Sequence, residues 1–67
     1  MTQREAREII MKETRAAMFD FRTAHGLPLN MHEYKGDDLD EILDRQREYI
    51  NARLAETLPE DVRRAAV

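Results

Sequence analysis

Residues 2–28 read TQREAREIIMKETRAAMFDFRTAHGLP, and the fold turns on this stretch. Thr2 and Glu5 stand at the capping-box spacing, in which each side chain satisfies a backbone N–H at a helix start. Gly26 stands where a helix C-terminus favours a left-handed residue, and Pro28 follows it. Neither Pro nor Gly interrupts the residues between. The pattern predicts one continuous helix over residues 3–24. At about 100° per residue, Ala6, Ile10, Thr14, Ala17, Phe21 and Ala24 share one sector, with Met18 beside it. Small residues dominate that stripe, so another helix can approach closely. Ile10, Ala17 and Phe21 are therefore read as core or self-association residues.

The other helix is written in residues 37–56, DDLDEILDRQREYINARLAE. It opens at Asp37 or Asp38, with carboxylates crowding the end where the helix dipole favours negative charge. Leu39, Ile42, Leu43, Gln46, Tyr49, Ile50, Arg53 and Leu54 repeat with a 3-4 spacing. The run is shorter than the three to four heptads of a coiled coil and suits the buried stripe of a small bundle. Its apolar members, Leu39, Ile42, Leu43, Tyr49, Ile50 and Leu54, join the expected core or self-association set. Thr57 and Glu60 repeat the capping-box spacing around Pro59, which predicts a short third helix over residues 59–66. Residues 25–36 connect the two long helices. Leu27, Leu29, Met31 and Tyr34 make this connection too apolar for a solvated loop, so it is expected to fold back and plug one end of the hairpin.

The expected fold is all-α: an antiparallel hairpin of two long helices plus a short C-terminal helix, in a single small domain over residues 1–67. Such a chain is small for one stable core. It has no cysteine, so disulfides cannot staple it. Ile9, Met11, Met18 and Phe19 cannot all face the second helix. The expectation is that the hairpin pairs with a copy of itself as a dimeric four-helix bundle. The alternative is a monomer whose loop and third helix cover the remaining surface.

Absences narrow the chemistry. Without Ser or Cys the commonest nucleophiles are gone. The acidic run from Asp37 to Asp44 lacks the fixed alternate ligands and internal Gly of an EF-hand, and reads as helix capping plus a solvated face. His25, His32 and Glu33 have no recognisable zinc-ligand spacing. No catalytic residue, cofactor site or metal site is assigned, and the chain is expected to be non-enzymatic. No apolar leader opens the sequence and no apolar run is long enough to span a bilayer, so a cytoplasmic location with no membrane contact is expected. A net charge of −3 argues against bulk electrostatic binding to nucleic acid.

The remaining feature is the outer side of the first helix. Arg4, Arg15 and Arg22 share nearly one azimuth, with Met11, Met18 and Phe19 beside them. Arginine and aromatic residues are enriched at interface hot spots. These six, with Leu29, Met31 and Tyr34 of the loop, form the expected partner-binding set. The leading reading is a small protein-protein interaction module acting as an adaptor, regulator or inhibitor of a larger protein. Compact accessory or phage-encoded proteins often have this character. Two alternatives stand beside it: a nucleic-acid-binding regulator using the arginine stripe, and a structural subunit of a larger enzyme or particle. Residues 21–28 begin in a way that resembles the first helix and turn of phage-repressor-type helix-turn-helix domains. The pair of short helices that should follow is replaced by a loop and a long acidic helix, so no function carries over.

Overall fold

Half of the expected capping box forms at Thr2: its Oγ1 accepts a 3.1 Å hydrogen bond from the Glu5 N–H, while the Glu5 carboxylate accepts from the Thr2 hydroxyl rather than from the Thr2 N–H. In the computed structural model, which describes residues 1–36 and 38–67, helix α1 runs Gln3–Ala24. It ends in a Schellman motif. Gly26 adopts a φ of 65°, the Leu27 N–H reaches the Arg22 carbonyl at 2.8 Å, and the Gly26 N–H reaches that of Thr23 at 3.3 Å. Gly26 is thus required for its backbone conformation.

The connection crosses the hairpin end in a 3₁₀ turn, Met31–Glu33, whose start is capped by Asn30 Oδ1 accepting from the His32 N–H at 3.0 Å. Leu27, Pro28, Met31 and Tyr34 are half-buried here, as a plug requires. Tyr34 lies against Gly36, where a side chain would collide with its ring. Leu29 departs from the expectation and is 63% exposed.

Helix α2 runs Leu39–Thr57 and packs antiparallel against α1. Asp38 caps it from a left-handed conformation, φ 54°, with Oδ1 accepting from the Glu41 N–H at 3.2 Å. Asp37, the earlier of the two expected openings, lies outside the described residues. Helix α3, Glu60–Ala65, turns back along the N-terminal half of α1. Its expected capping box does not form. Pro59 occupies the cap position with no side-chain bond, and the Thr57 hydroxyl donates instead to the Arg53 carbonyl one turn back, at 2.9 Å. The fold is therefore a helical hairpin plus a short third helix, 42 × 18 × 17 Å overall.

The core is tight and thin. Ala6 and Ala17 are completely buried, and Ala6 meets Leu58 and Val62 in a small cluster flanked by Ile10, Leu54, Ala65 and Ala66. At the other end, Phe21 stacks on His25 at a ring separation of 4.2 Å and meets Tyr49 at 5.7 Å. Ile10, Ile42, Leu43, Ile50 and Leu54 line the seam but stay half-buried. Of the expected core or self-association set, Leu39 and Tyr49 contribute least to the single-chain core, at 41% and 40% exposed. Leu39 is the first residue of α2 and borders an open depression at the loop end with Arg22 and Leu43. Tyr49 sits on the flank of the stripe and touches Phe21 by its ring alone.

Candidate functional site

Helix α1 turns a second side to the surroundings, and its composition differs from that of the seam. Met11 and Phe19 are each 54% exposed, whereas Met18 is half-buried. Isolated exposed apolar residues are ordinary, but contiguous ones mark contact surfaces. Met18, Phe19 and Leu29 converge with Arg15 and Arg22 around a shallow concavity of about 250 Å³ at the loop end of the hairpin. A second groove, about 660 Å³, runs along α1 toward its N-terminus between Arg7, Ile10, Met11, Thr14, Arg15 and Ala66. Arg15 belongs to both, so the two depressions form one continuous relief along α1.

The arginine stripe divides on closer inspection. Among the described residues, Arg4 and Arg15 make no ion pair and project to solvent, and so do Arg7 and Lys12. Arg22 does otherwise, which corrects its place in the partner-binding set. It is half-buried, its Nε donates to Gln46 Oε1 at 2.9 Å and its other nitrogen donates to the Leu29 carbonyl. Among the described residues Gln46 is the one buried polar residue, and Arg22 supplies the donor to its Oε1. An unmatched buried amide costs about 1–3 kcal/mol, so Arg22 is a latch joining α1, α2 and the loop rather than a free contact. The Arg22 guanidinium also explains why Leu29 points outward. Its backbone carbonyl is turned in to meet the cation, and the side chain is left outside.

The remaining loop candidates, Met31 and Tyr34, are half-buried and support the hairpin end; they are less available to a partner than expected. Met31 shares a depression with Arg22, Leu29, Leu39 and Leu43 on the α2 side of the loop. On the opposite flank of the hairpin, Arg53 forms an ion pair with Asp20, which joins the two helices. That bond, with a smaller contribution from Tyr49, raises the Arg53 pKa above its ordinary value. The pairs Arg45–Glu41, 2.5 Å, and Arg64–Glu60, 2.7 Å, are exposed helix-surface pairs of the weak kind.

The residues with chemical capacity stay apart. His25 stacks on Phe21 and its Nδ1 faces the Phe21 carbonyl at 2.9 Å. His32 is exposed in the 3₁₀ turn. Among the described residues no three His, Cys, Asp or Glu side chains gather as a metal site would need, and no helix is long and apolar enough to cross a membrane. Sequence reasoning missed Arg7 and Ala66, which line the larger groove. Arg7 shares the side of α1 that carries Met11 and Met18, whereas Ala66 reaches the groove only because α3 folds back. Compared with protein-family models, curated proteins and solved structures, the chain matches none.

Proposed function

We propose that this protein is a small non-enzymatic interaction module that docks a larger protein at the loop end of its hairpin. The observation that carries the reading is the pairing of Phe19 and Leu29, both more than half exposed, across one concavity edged by Arg15. At about 100° per residue Phe19 lies nearly opposite Ala17 and Phe21 on α1, so it contributes nothing to the seam. An exposed aromatic beside an unpaired arginine is the usual composition of a binding hot spot.

Charge selects the chemistry of the partner. Arg15 has no carboxylate partner among the described residues, and Arg4, Arg7 and Lys12 extend the same cationic side of the helix. Glu8 is the only acid among them. The matching surface is an acidic segment with one or two apolar anchors that enter between Phe19 and Leu29. The nucleic-acid reading is weakened because Arg22 is committed to Gln46 and the loop, which removes one of the three stripe arginines.

The test is affinity capture with three immobilised chains. The wild type should retain a partner that Leu29→Asp and Arg15→Glu release, and retention should fall only modestly between about 50 and 200 mM salt, because the charges are screened while the apolar anchors are not. A nucleic-acid complex would instead weaken steeply over that range through counterion release. Equal retention by all three chains would remove the loop end as the contact surface.

A further inference from the structure

We infer that the geometry of the docking site proposed above, on which this step rests, is set by Gln46, a buried residue of α2. Gln46 holds Arg22, and Arg22 holds Leu29 where it completes the concavity. Gln46 is 8% exposed and lines neither that concavity nor the depression on the α2 side of the loop. It is therefore a positioning residue, acting through two hydrogen bonds in series.

The first link joins Gln46 to Arg22. At about 100° per residue Arg22 shares its azimuth with Arg4 and Arg15, which are both exposed. A guanidinium on its flexible stem could follow them into solvent. The Gln46 Oε1, 2.9 Å from the Arg22 Nε, turns it toward the seam instead. Gln46 interrupts a stripe whose neighbours Ile42, Leu43 and Ile50 are apolar and half-buried. An aliphatic side chain there would gain burial energy without desolvating an amide. What the amide adds is an acceptor within reach of Arg22.

The second link joins Arg22 to Leu29. The chain after Gly26 is anchored on one side by the Leu27 N–H, which donates to the Arg22 carbonyl at 2.8 Å. On the other side Asn30 caps the 3₁₀ turn. Between these anchors the Leu29 carbonyl accepts from the Arg22 guanidinium and, among the described residues, from no other donor. Leu29 is 63% exposed, so packing does little to hold its side chain. Arg22 and Leu29 line both concavities of the loop end, and Leu29 stands as the wall between them. With its peptide fixed, that wall is in place across from Phe19 before a partner arrives, and binding need not order the loop. With the peptide released, only a fraction of the chains is competent, and the apparent affinity falls by that fraction.

The experiment compares Gln46→Leu and Gln46→Glu with the wild type. Leucine removes the acceptor, whereas glutamate keeps it and strengthens the bond to a guanidinium through charge. The probe is a set of short acidic peptides carrying a Leu and a Phe, selected for binding to the wild-type chain. Gln46→Glu should bind them as the wild type does, and Gln46→Leu roughly tenfold more weakly. Stability should run the other way, because a buried leucine costs less than a buried carboxylate. A purely structural role for Gln46 therefore predicts the opposite order of binding, with Gln46→Glu the weaker, and that order would overturn the proposal. Amide exchange reads the same device without a peptide. Leu29, Asn30 and Met31 should exchange faster in Gln46→Leu while α1 and α2 keep their protection, and unchanged loop exchange would overturn the positioning role. Peptides released by Leu29→Asp but held by Gln46→Leu as tightly as by the wild type would also overturn it, and would leave the docking reading intact. Peptides held equally by Leu29→Asp would remove the docking reading and this step with it.

Discussion

The two sides of helix α1 invert the usual distribution of side-chain size. The seam side is built from Ala6 and Ala17, both fully buried, with Phe21 as its one large buried member and Ile10 half-buried beside the core. The outer side carries Met11 and Phe19, each more than half exposed. Small residues let α1 and α2 approach closely, and the close approach leaves little volume for large ones. The apolar area available to the single chain therefore concentrates in Phe21 at one end and in Leu58 and Val62 at the other. What the seam cannot hold is displayed outside, on the side proposed above to meet a partner.

The comparison can be broken first at Phe21. Phe21→Ala removes the stack on His25 and the contact with Tyr49, and such core truncations cost about 3–5 kcal/mol. A chain below 80 residues rarely has more than about 3–5 kcal/mol of core stability to lose. Far-ultraviolet circular dichroism at room temperature should show the loss of most helix. Next comes Ala17→Leu, which adds bulk where none fits and should cost roughly 1–3 kcal/mol in a urea melt. If Ala17→Leu stabilised the chain, the seam would be looser than described.

Arg22 sharpens the comparison because it has the azimuth of the outer side and the role of the inner one. Arg22→Met keeps the aliphatic stem and leaves Gln46 without its donor. The expected loss is about 1–3 kcal/mol, read as a lower urea midpoint. Thr2→Ala removes the cap from α1 and should cost about 1 kcal/mol. That corresponds to roughly 4–8 °C in melting temperature for a domain of this size. Phe19→Ala should do least, within about 0.5 kcal/mol, as surface substitutions usually do.

Helix identity was legible in the sequence because caps are local. Thr2 with Glu5, Asp38 with its following turn, and Gly26 with Pro28 each decide their geometry within a few residues. The second capping box, at Thr57 and Glu60, shows the limit of such signals. Its spacing is correct, but the chain bends at Leu58 and Pro59, and the threonine hydroxyl finds a carbonyl in its own helix first. The candidate site was legible only in part. The azimuth of Met11, Arg15, Met18 and Phe19 follows from the helical period, so their shared side could be read directly. The role of Arg22 could not. Its partners, Gln46 and the Leu29 carbonyl, lie 24 and 7 residues away and meet it only after the hairpin and loop have closed. The same closure turns Leu29 outward, and it brings Ala66 to the groove that Arg7 and Met11 begin.

The inner side of α1 holds the fold, and the outer side is proposed to hold a partner. The most direct measurement is to take Phe19→Asp and record thermal stability and partner retention on the same sample. The account predicts a melt within a few degrees of wild type, since the new carboxylate remains in water, together with loss of the retained partner. A collapsed melt would place Phe19 in the fold, and an intact melt with undiminished retention would place the partner elsewhere. Either result would contradict the division of labour drawn between the two sides.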